Sequence, residues 1–401
     1  MKNKRFRINS NSDSNADSNS DSDSNSDLDP DFDMNNNCNN RNTELKNTLL
    51  DRFKRQKTEK ITKPAQISDP NICLSNTCSH NNSIPKINIS NINTLDELIY
   101  LGQQYNCKTF KIYKNINIRI LNKILPSLLE LKDLIGLDDL KHQIIDKCLY
   151  FCRGLNGEPC NQCIDCKLNL PCINNNQNMF HTVITGSPGV GKTIFAKILA
   201  SIYCNLGVIK TNNINIVSRE DLISGYLGRT AKKTQQIIDS SLDGVLFIDE
   251  AYSLGNTGDT DSYSKECIDI ITKNLSEKRN FICIIAGYKK DIEECFFRVN
   301  AGLKRRFTFW YDIKGYSSFE LYEIFKTKLN KESWKIEEKD KDKIIKIFDK
   351  NYGLFKNFAG DIETLIIHVK IIYSRDLTSQ NKIINHNMII KSIDLFRNNK
   401  I

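Results

Sequence analysis

The segment Gly186-Ser187-Pro188-Gly189-Val190-Gly191-Lys192-Thr193 constrains the fold of this chain more than any other. It follows an apolar run at 180–185 and precedes a helix-like segment at 194–204, which is the strand–loop–helix context of a phosphate-binding loop. Its glycines let backbone amides turn toward phosphate oxygens, and the positive end of the next helix adds to the attraction. Lys192 is expected to reach the β- and γ-phosphates, and Thr193 to offer its hydroxyl to Mg²⁺. Alone, this loop predicts nucleotide binding and leaves kinase, GTPase and motor open.

The spacing of apolar residues predicts a sheet around this loop. Apolar runs at 180–185, 214–217, 245–249 and 281–286 alternate with amphipathic segments, a pattern typical of parallel α/β folds. Beyond Tyr311, helical spacing continues to the C-terminus. We therefore expect an α/β fold of the P-loop NTPase class, with a parallel sheet flanked by helices and a small all-α domain at the end.

The first part of the chain differs in composition from the rest. Residues 8–42 are mostly Ser, Asn and Asp, and such a segment has too little apolar surface to fold, so we expect 1–92 to be disordered. Its acidic residues offset a basic remainder, which sets the net charge at +9 and permits a nucleic-acid partner without favouring one. Helical spacing begins near Leu95 and predicts a helical preamble at 93–133.

Targeting signals are not evident in the sequence. The basic segment Met1 to Arg7 is followed by a polar tract instead of an apolar stretch, and no run approaches the roughly 18 apolar residues of a membrane span. We expect an intracellular, cytoplasmic protein that does not engage a membrane, and basic residues near Lys54 leave the nucleus open. In a reducing compartment, the 14 cysteines are expected to be metal ligands or core residues.

One group of cysteines has metal-ligand spacing. Cys160, Cys163 and Cys166 are separated by two residues each, and Cys152 precedes them. Pairs at this spacing bend the chain so that both thiolates reach one tetrahedral Zn²⁺. We expect these four cysteines to form a structural Zn²⁺ site in a cysteine-rich insert at 148–172. Cys172 is an alternative to Cys152, and free thiols are the alternative to a metal site.

Two carboxylates end the apolar run at 245–249. Asp249 and Glu250 stand together there, and a strand buried on both faces carries acids only at its carboxyl end, where ligands bind in open α/β sheets. Asp249 is expected to hold Mg²⁺, and Glu250 to orient and polarise the attacking water. Together with the phosphate loop, the pair predicts nucleotide hydrolysis.

Two later features also suit nucleotide chemistry. The run at 281–286 ends in a polar tip near Gly287, where a polar side chain would sense the γ-phosphate. Arg305 and Arg306 stand together just before the last strand-like run, and they suit an arginine finger supplied to a neighbouring subunit. A basic surface cluster explains the two arginines equally well at this level.

These motifs together resemble a known family. The segments GSPGVGKT, SGYLGRTAKKT, GVLFIDEAYSL, IIAGYKKDI and NAGLKRRF occur in the order seen in AAA+ ATPases. Within that superfamily the chain most resembles the CfxQ/CbbX (SpoVK-like) group, from Leu134 to the C-terminus. The resemblance implies a ring, usually a hexamer, with ATP and Mg²⁺ bound between subunits. It also implies a nucleotide-binding domain at 134–312 and a helical lid at 313–401.

The resemblance assigns roles to single residues. Tyr226 lies in a loop that grips a polypeptide in the central pore, and Ile135 and Gly136 belong to the segment that packs around adenine. Arg306 matches the arginine finger best, with Arg305 as a substitute. The stretch 358–363 has no arginine where the CbbX group carries one. Its Gly360 instead resembles lids that contact adenosine through the backbone.

The sequence therefore predicts an ATP-driven ring ATPase that remodels protein complexes, with an arginine finger supplied by the neighbouring subunit. A nucleic-acid-acting or clamp-loader-like ATPase is the first alternative, because the basic balance and the cysteine spacing suit it. A nucleotide-gated scaffold is the second, and the Asp249–Glu250 pair argues against it.

Overall fold

The computed structural model of the protein describes residues 91–155, 160–167, 179–226, 228–255, 262–300, 302–376 and 381–399. The structural statements below concern these residues, and the predicted disorder of 1–92 lies outside them apart from its last two positions. The first elements are helix α1 (Leu95–Gln103), the short strands β1 (Ile112–Tyr113) and β2 (Ile116–Asn117), and helices α2 (Ile118–Asp133) and α3 (Asp138–Cys152).

Local signals explain how this preamble forms. Helix α1 begins at a capping box, in which the Thr94 hydroxyl accepts from the Glu97 N–H and the Glu97 carboxylate accepts from the Thr94 N–H. The antiparallel pair β1–β2 was not predicted. It turns at Lys114 and Asn115, both in the left-handed region at φ 46° and 63°, where a hairpin usually has glycine.

Five strands form the central sheet. In chain order, the next elements are α4 (Ile164–Lys167), β3 (His181–Gly186), α5 (Lys192–Asn205), β4 (Ile214–Val217), α6 (Arg219–Leu222), α7 (Thr230–Ser240), β5 (Val245–Ile248), a 3-10 turn (Ala251–Leu254), α8 (Ser262–Glu277), β6 (Ile282–Gly287), α9 (Lys289–Asp291), a π turn (Ile292–Phe296), a second 3-10 turn (Lys304–Arg306) and β7 (Phe307–Ile313). The sheet order is β4-β5-β6-β3-β7, and every neighbouring pair is parallel. The predicted parallel sheet is confirmed.

The central strands β5 and β6 are buried on both faces, as strands of a parallel sheet between helices usually are. Along β5, Val245 and Phe247 join one apolar cluster, while Leu246 and Ile248 join the other. This alternation follows from the two-residue repeat of a strand. Helix α2 contributes to the first cluster and packs on α5, where the Ser127 and Ser201 hydroxyls lie 2.8 Å apart. The preamble is therefore part of the same core as the sheet.

The C-terminal part is helical, with one short strand pair that the sequence did not indicate. Its elements are α10 (Ser318–Lys331), β8 (Lys335–Ile336), a 3-10 turn (Glu338–Asp340), α11 (Lys341–Lys350), a 3-10 turn (Tyr352–Leu354), α12 (Phe358–Ser374), β9 (Ile383–Ile384) and α13 (His386–Asn398). Strands β8 and β9 pair in parallel. Beside them the buried Asp340 accepts from the His386 N–H at 3.0 Å and contacts His386 Nδ1 at 2.9 Å. Hydrogen bonding to His386 lowers the pKa of Asp340.

A buried histidine joins two strands of the sheet. His181 on β3 is 2% exposed, and its Nδ1 accepts from the Cys283 N–H on β6 at 3.0 Å. Burial lowers the pKa of His181 to about 4. Since imidazole in an unfolded chain titrates near pH 6.5, the unfolded state binds a proton at mildly acidic pH that the folded state does not.

We predict that this difference makes folding stability fall as the pH decreases from about 6.5 to about 4. His181 alone is expected to remove about 2 kcal/mol between pH 7 and pH 5. In the variant His181→Asn, the amide oxygen can accept the same N–H but does not titrate. Urea unfolding of both proteins at the two pH values measures the difference. Equal losses in wild type and variant would show that His181 is not the titrating group.

Candidate active site

The phosphate loop joins β3 to α5, and its glycines adopt conformations that other residues avoid. Gly189 and Gly191 have φ of 71° and 92°, in the left-handed region where a side chain is strained. Gly191 is the residue before α5, so the first-turn N–H groups of that helix face the loop. The loop therefore has the backbone shape and the polarity of an anion site.

Lys192 lies across this loop. Its Nζ donates to the carbonyl oxygens of Gly186 and Ser187, each at 2.9 Å, and stands 5.6 Å from the ring centre of Tyr288. Burial lowers the pKa of Lys192, while the Asp249 and Glu250 carboxylates act in the opposite direction. A flexible cation hydrogen-bonded to neutral carbonyl oxygens can move to phosphate oxygens, which bind it more strongly.

A cavity of about 360 Å³ opens beside the loop. Five loop residues line it, namely Pro188, Gly189, Gly191, Lys192 and Thr193, whereas Val190 is buried in the core. Asp249 and Glu250 line it from the end of β5, and Gly287 and Tyr288 from the end of β6. A glycine cradle, a cation, a hydroxyl and two carboxylates around one space suit a magnesium–nucleoside triphosphate.

Glu250 has an unusual backbone conformation at this edge. Its φ and ψ are 48° and 44°, left-handed for a residue with a side chain, and the residue is exposed. The Glu250 N–H donates to Asp249 Oδ1 at 3.1 Å, and the Asp249 N–H donates to the Val217 carbonyl at 3.0 Å. Such strain recurs at functional sites. Both residues of this turn line the cavity.

The helical lid contacts the phosphate loop directly. The Ala359 N–H donates to the Gly189 carbonyl at 3.2 Å, and the Tyr316 hydroxyl donates to the Val190 carbonyl at 2.9 Å. A Cβ atom at Gly189 would collide with the Asn357 carbonyl oxygen. Gly360, for which the sequence resemblance implied a backbone contact with adenosine, lines the cavity. Sequence reasoning missed Tyr252, Lys328 and Glu363, which also line it.

The predicted adenine segment lies outside the residues that line this cavity. Ile135 packs against the main apolar cluster. Gly136 has φ of 66°, and a Cβ atom there would collide with the Glu320 carboxylate. Next to it, a second cavity of about 250 Å³ is lined by Leu137, Tyr316 and Glu320, among others. The structure thus brings Ile135 and Gly136 near the base of the lid and not to the phosphate loop.

Arg305 and Arg306 lie at the amino-terminal ends of the parallel strands, whereas the cavity lies at their carboxyl ends. Phe307, which follows them, pairs with His181 at the start of β3, whereas Ile313 pairs with Gly186 at its end. The two ends of β3 are about 17 Å apart along the strand. Arg306 is half-buried and donates to the Ser276 hydroxyl at 3.0 Å and the Gly302 carbonyl at 2.6 Å. Arg305 is exposed.

The structure brings three of the four predicted zinc ligands together. The Sγ atoms of Cys160, Cys163 and Cys166 all lie within 4.8 Å of one another. The Cys163 N–H donates to Cys160 Sγ, and the Cys166 N–H donates to Cys163 Sγ, each at 3.3 Å. Cys152 does not belong to this group, because it ends α3 inside the main apolar core. The alternative ligand Cys172 lies outside the described residues.

Tyr226 lies between β4 and α7 with 69% of its surface exposed. Its ring is 5.2 Å from the Arg229 guanidinium, and added Cβ atoms at Gly225 and Gly228 would meet nothing within 4 Å. Leu227, the middle residue of the predicted pore loop, lies outside the described residues. Among the described residues, no helix is long and apolar enough to cross a membrane.

Comparisons with known proteins agree with this geometry. Residues 182–307 match the ATPase family associated with various cellular activities (AAA). Over 330 residues the chain is 40% identical to the cfxQ-like protein R730 of Acanthamoeba polyphaga mimivirus, which covers 79% of this chain and 77% of that relative. The chain belongs to the CfxQ-like AAA+ ATPases. Membership of this family, which the sequence motifs indicated, is confirmed.

Other relatives of this CfxQ-like protein match over shorter stretches. Stage V sporulation protein K of Bacillus subtilis (strain 168) is 32% identical over 52% of this chain and 61% of its own length. ESX-3 secretion system protein EccA3 of Mycobacterium tuberculosis is 40% identical over 49% of this chain but only 29% of its own length. Among solved structures, the FIGL-1 AAA domain in complex with ADP aligns with a TM-score of 0.45 at 15% identity, covering 66% of this chain and 82% of that one.

Proposed function

We propose that the protein hydrolyses ATP at the subunit interfaces of a hexameric ring and uses that energy to remodel protein complexes. The observation that carries the proposal is the convergence of Lys192, Thr193, Asp249 and Glu250 on one cavity beneath a lid. Family membership supports ATPase chemistry in general. The ring, the shared interface and the protein substrate are our inference from the geometry and the resemblance.

Each residue in the cavity has a role that its chemistry suits. Lys192 holds the β- and γ-phosphates, and Thr193 and Asp249 hold the Mg²⁺ ion, which neutralises phosphate charge when bound. Glu250, exposed at the mouth of the cavity, orients the attacking water and accepts its proton. The backbone N–H groups of the loop bind phosphate oxygens. ATP and Mg²⁺ are thus the expected ligands of this site.

The position of the arginines supports hydrolysis completed by a neighbouring subunit. Arg305 and Arg306 lie at the sheet edge away from the cavity of their own chain, so they reach a nucleotide only across a head-to-tail interface. Head-to-tail contacts form a ring when the rotation between subunits closes, which is the arrangement proposed here. Arg306 is already oriented by Ser276 and Gly302, which favours it as the finger, and the exposed Arg305 is its substitute.

Tyr226 is the residue that we propose grips the substrate. An aromatic side chain exposed to 69% beside two unhindered glycines suits weakly specific contact with a polypeptide. In a ring, this loop would face the central pore. The proposed substrate is accordingly a protein chain.

The glutamate assignment leads to a direct prediction. Glu250→Gln is expected to lower the rate of ATP hydrolysis at least about a hundredfold, because the water loses its base, while ATP affinity stays within a few-fold. Phosphate release and equilibrium binding of ATP measure the two quantities. The exposed Glu277→Gln on α8 is the matched control and should behave as wild type. Hydrolysis by Glu250→Gln at the wild-type rate would show that another group activates the water.

A nucleic-acid-acting or clamp-loader-like ATPase is the second candidate, and the spacing of the three-cysteine group favours it, since that spacing resembles the zinc module of bacterial clamp-loader ATPases. Hydrolysis stimulated by DNA and falling steeply with added salt would favour this candidate over a protein remodeller.

We also propose that the cysteine group binds a structural Zn²⁺ ion. The Sγ atoms of Cys160 and Cys166 lie 3.8 Å apart, which equals the edge of about 3.8 Å of a tetrahedron with Zn–S distances near 2.3 Å. A fourth ligand completes the site, and we take Cys172, because the group that the structure brings together contains Cys160, Cys163 and Cys166 but not Cys152.

Purified protein is therefore predicted to contain about one zinc ion per chain. Elemental analysis should find it in wild type and in the control Cys204→Ser, whose thiol lies on α5 away from the group. Cys163→Ser and Cys172→Ser should lose most of the metal, and Cys152→Ser should keep it. A wild-type protein without zinc would contradict the site, and loss in Cys152→Ser alone would restore the ligand set first expected.

A further inference from the structure

Two charged side chains of the lid line the nucleotide cavity, and the proposed function has given them no role. Lys328 on α10 and Glu363 on α12 both line the cavity, and Lys328 Nζ lies 2.6 Å from Glu363 Oε1. The side chains are 35% and 64% exposed. The pair therefore joins two lid helices at the mouth of the site without being buried.

The charge balance of the cavity calls for a cation at this position. Among the described residues that line it, the positive side chains are Lys192 and Lys328, and the negative ones are Asp249, Glu250 and Glu363. A triphosphate carries more negative charge than one Mg²⁺ ion neutralises. Lys192 reaches the phosphates from the loop side only. On the lid side, Lys328 is the available cation.

We propose that Lys328 binds the terminal phosphate of ATP from the lid, exchanging its contact with Glu363 for phosphate oxygens. This inference rests on the proposed ATP site. A phosphate oxygen competes well with one carboxylate, because the phosphate carries more charge and the lysine stem is flexible. The stretch 358–363 contains no arginine, so the cation of this lid comes from a different helix, α10.

The exchange would couple the lid to the state of the nucleotide. With a diphosphate, Lys328 remains paired with Glu363 and ties α10 to α12. With a triphosphate, the tie is released, and α10 is attached to the nucleotide instead. The contact between Ala359 and Gly189 keeps α12 on the phosphate loop in either state. Lys328 is thus a binding residue specific for the third phosphate.

Equilibrium binding of two nucleotides tests this role without relying on hydrolysis. Titration calorimetry with ADP and with the slowly hydrolysed analogue ATPγS, both with Mg²⁺, gives the two affinities. Lys328→Ala is expected to weaken ATPγS binding at least about tenfold, the effect of losing one charged hydrogen bond, and ADP binding less than about threefold. Lys328→Arg should retain most of the ATPγS affinity. Glu363→Gln, which removes the competing carboxylate, should bind ATPγS at least as tightly as wild type.

Lys331→Ala is the matched control, because Lys331 is an exposed lysine on the same helix that does not line the cavity. Wild-type affinity for ATPγS in Lys328→Ala would overturn the inference, as would equal weakening of ADP and ATPγS. If the wild-type chain bound neither nucleotide, the proposed function would fail together with the inference. Normal binding by wild type with no effect at Lys328 would overturn the inference alone.

Discussion

The parallel pairing of β3 with its neighbours is the constraint on which the rest of the structure depends. Because β3 lies between β6 and β7, and β5 pairs with β6, the carboxyl ends of these strands meet at one edge. The phosphate loop, the Asp249–Glu250 pair and Tyr288 follow those ends, so a single cavity collects side chains from distant parts of the chain. The same pairing places Arg305 and Arg306 at the other edge. Strand direction therefore separates the two arginines from the cavity of their own chain, which is the basis for the proposed site shared between subunits.

The helical lid also contacts the backbone of the phosphate loop. Gly189 is left-handed and closely approached by the Asn357 carbonyl, and its own carbonyl accepts from Ala359. The phosphate loop and α12 are therefore in direct contact through their backbones. The lid also shares the main apolar cluster with α2 and α5. The Lys328–Glu363 pair lines the same cavity as Gly189 and Ala359.

Features governed by local pattern were predictable from the sequence. The four mainly apolar runs became β3, β4, β5 and β6, because strands buried on both faces, such as β5 and β6, are mainly apolar. The β1–β2 hairpin was missed because Lys114 and Asn115 lack the usual glycine. Lys328 and Glu363 were missed because 35 residues separate them, and only the packing of α10 on α12 brings them together. Cys152 has suitable spacing, but the helical path of α3 directs it into the core.

We propose that each site is shared between two subunits, and mixing two inactive variants tests this proposal most directly. Lys192→Ala loses its own nucleotide site but keeps both arginines, whereas the double variant Arg305→Ala, Arg306→Ala keeps its site and lacks the arginines. If hydrolysis requires an arginine from the neighbour, each variant alone is inactive. An equal mixture, assembled at random, should then recover about a quarter of the wild-type ATPase rate. A mixture that remains as inactive as its components would contradict the shared site.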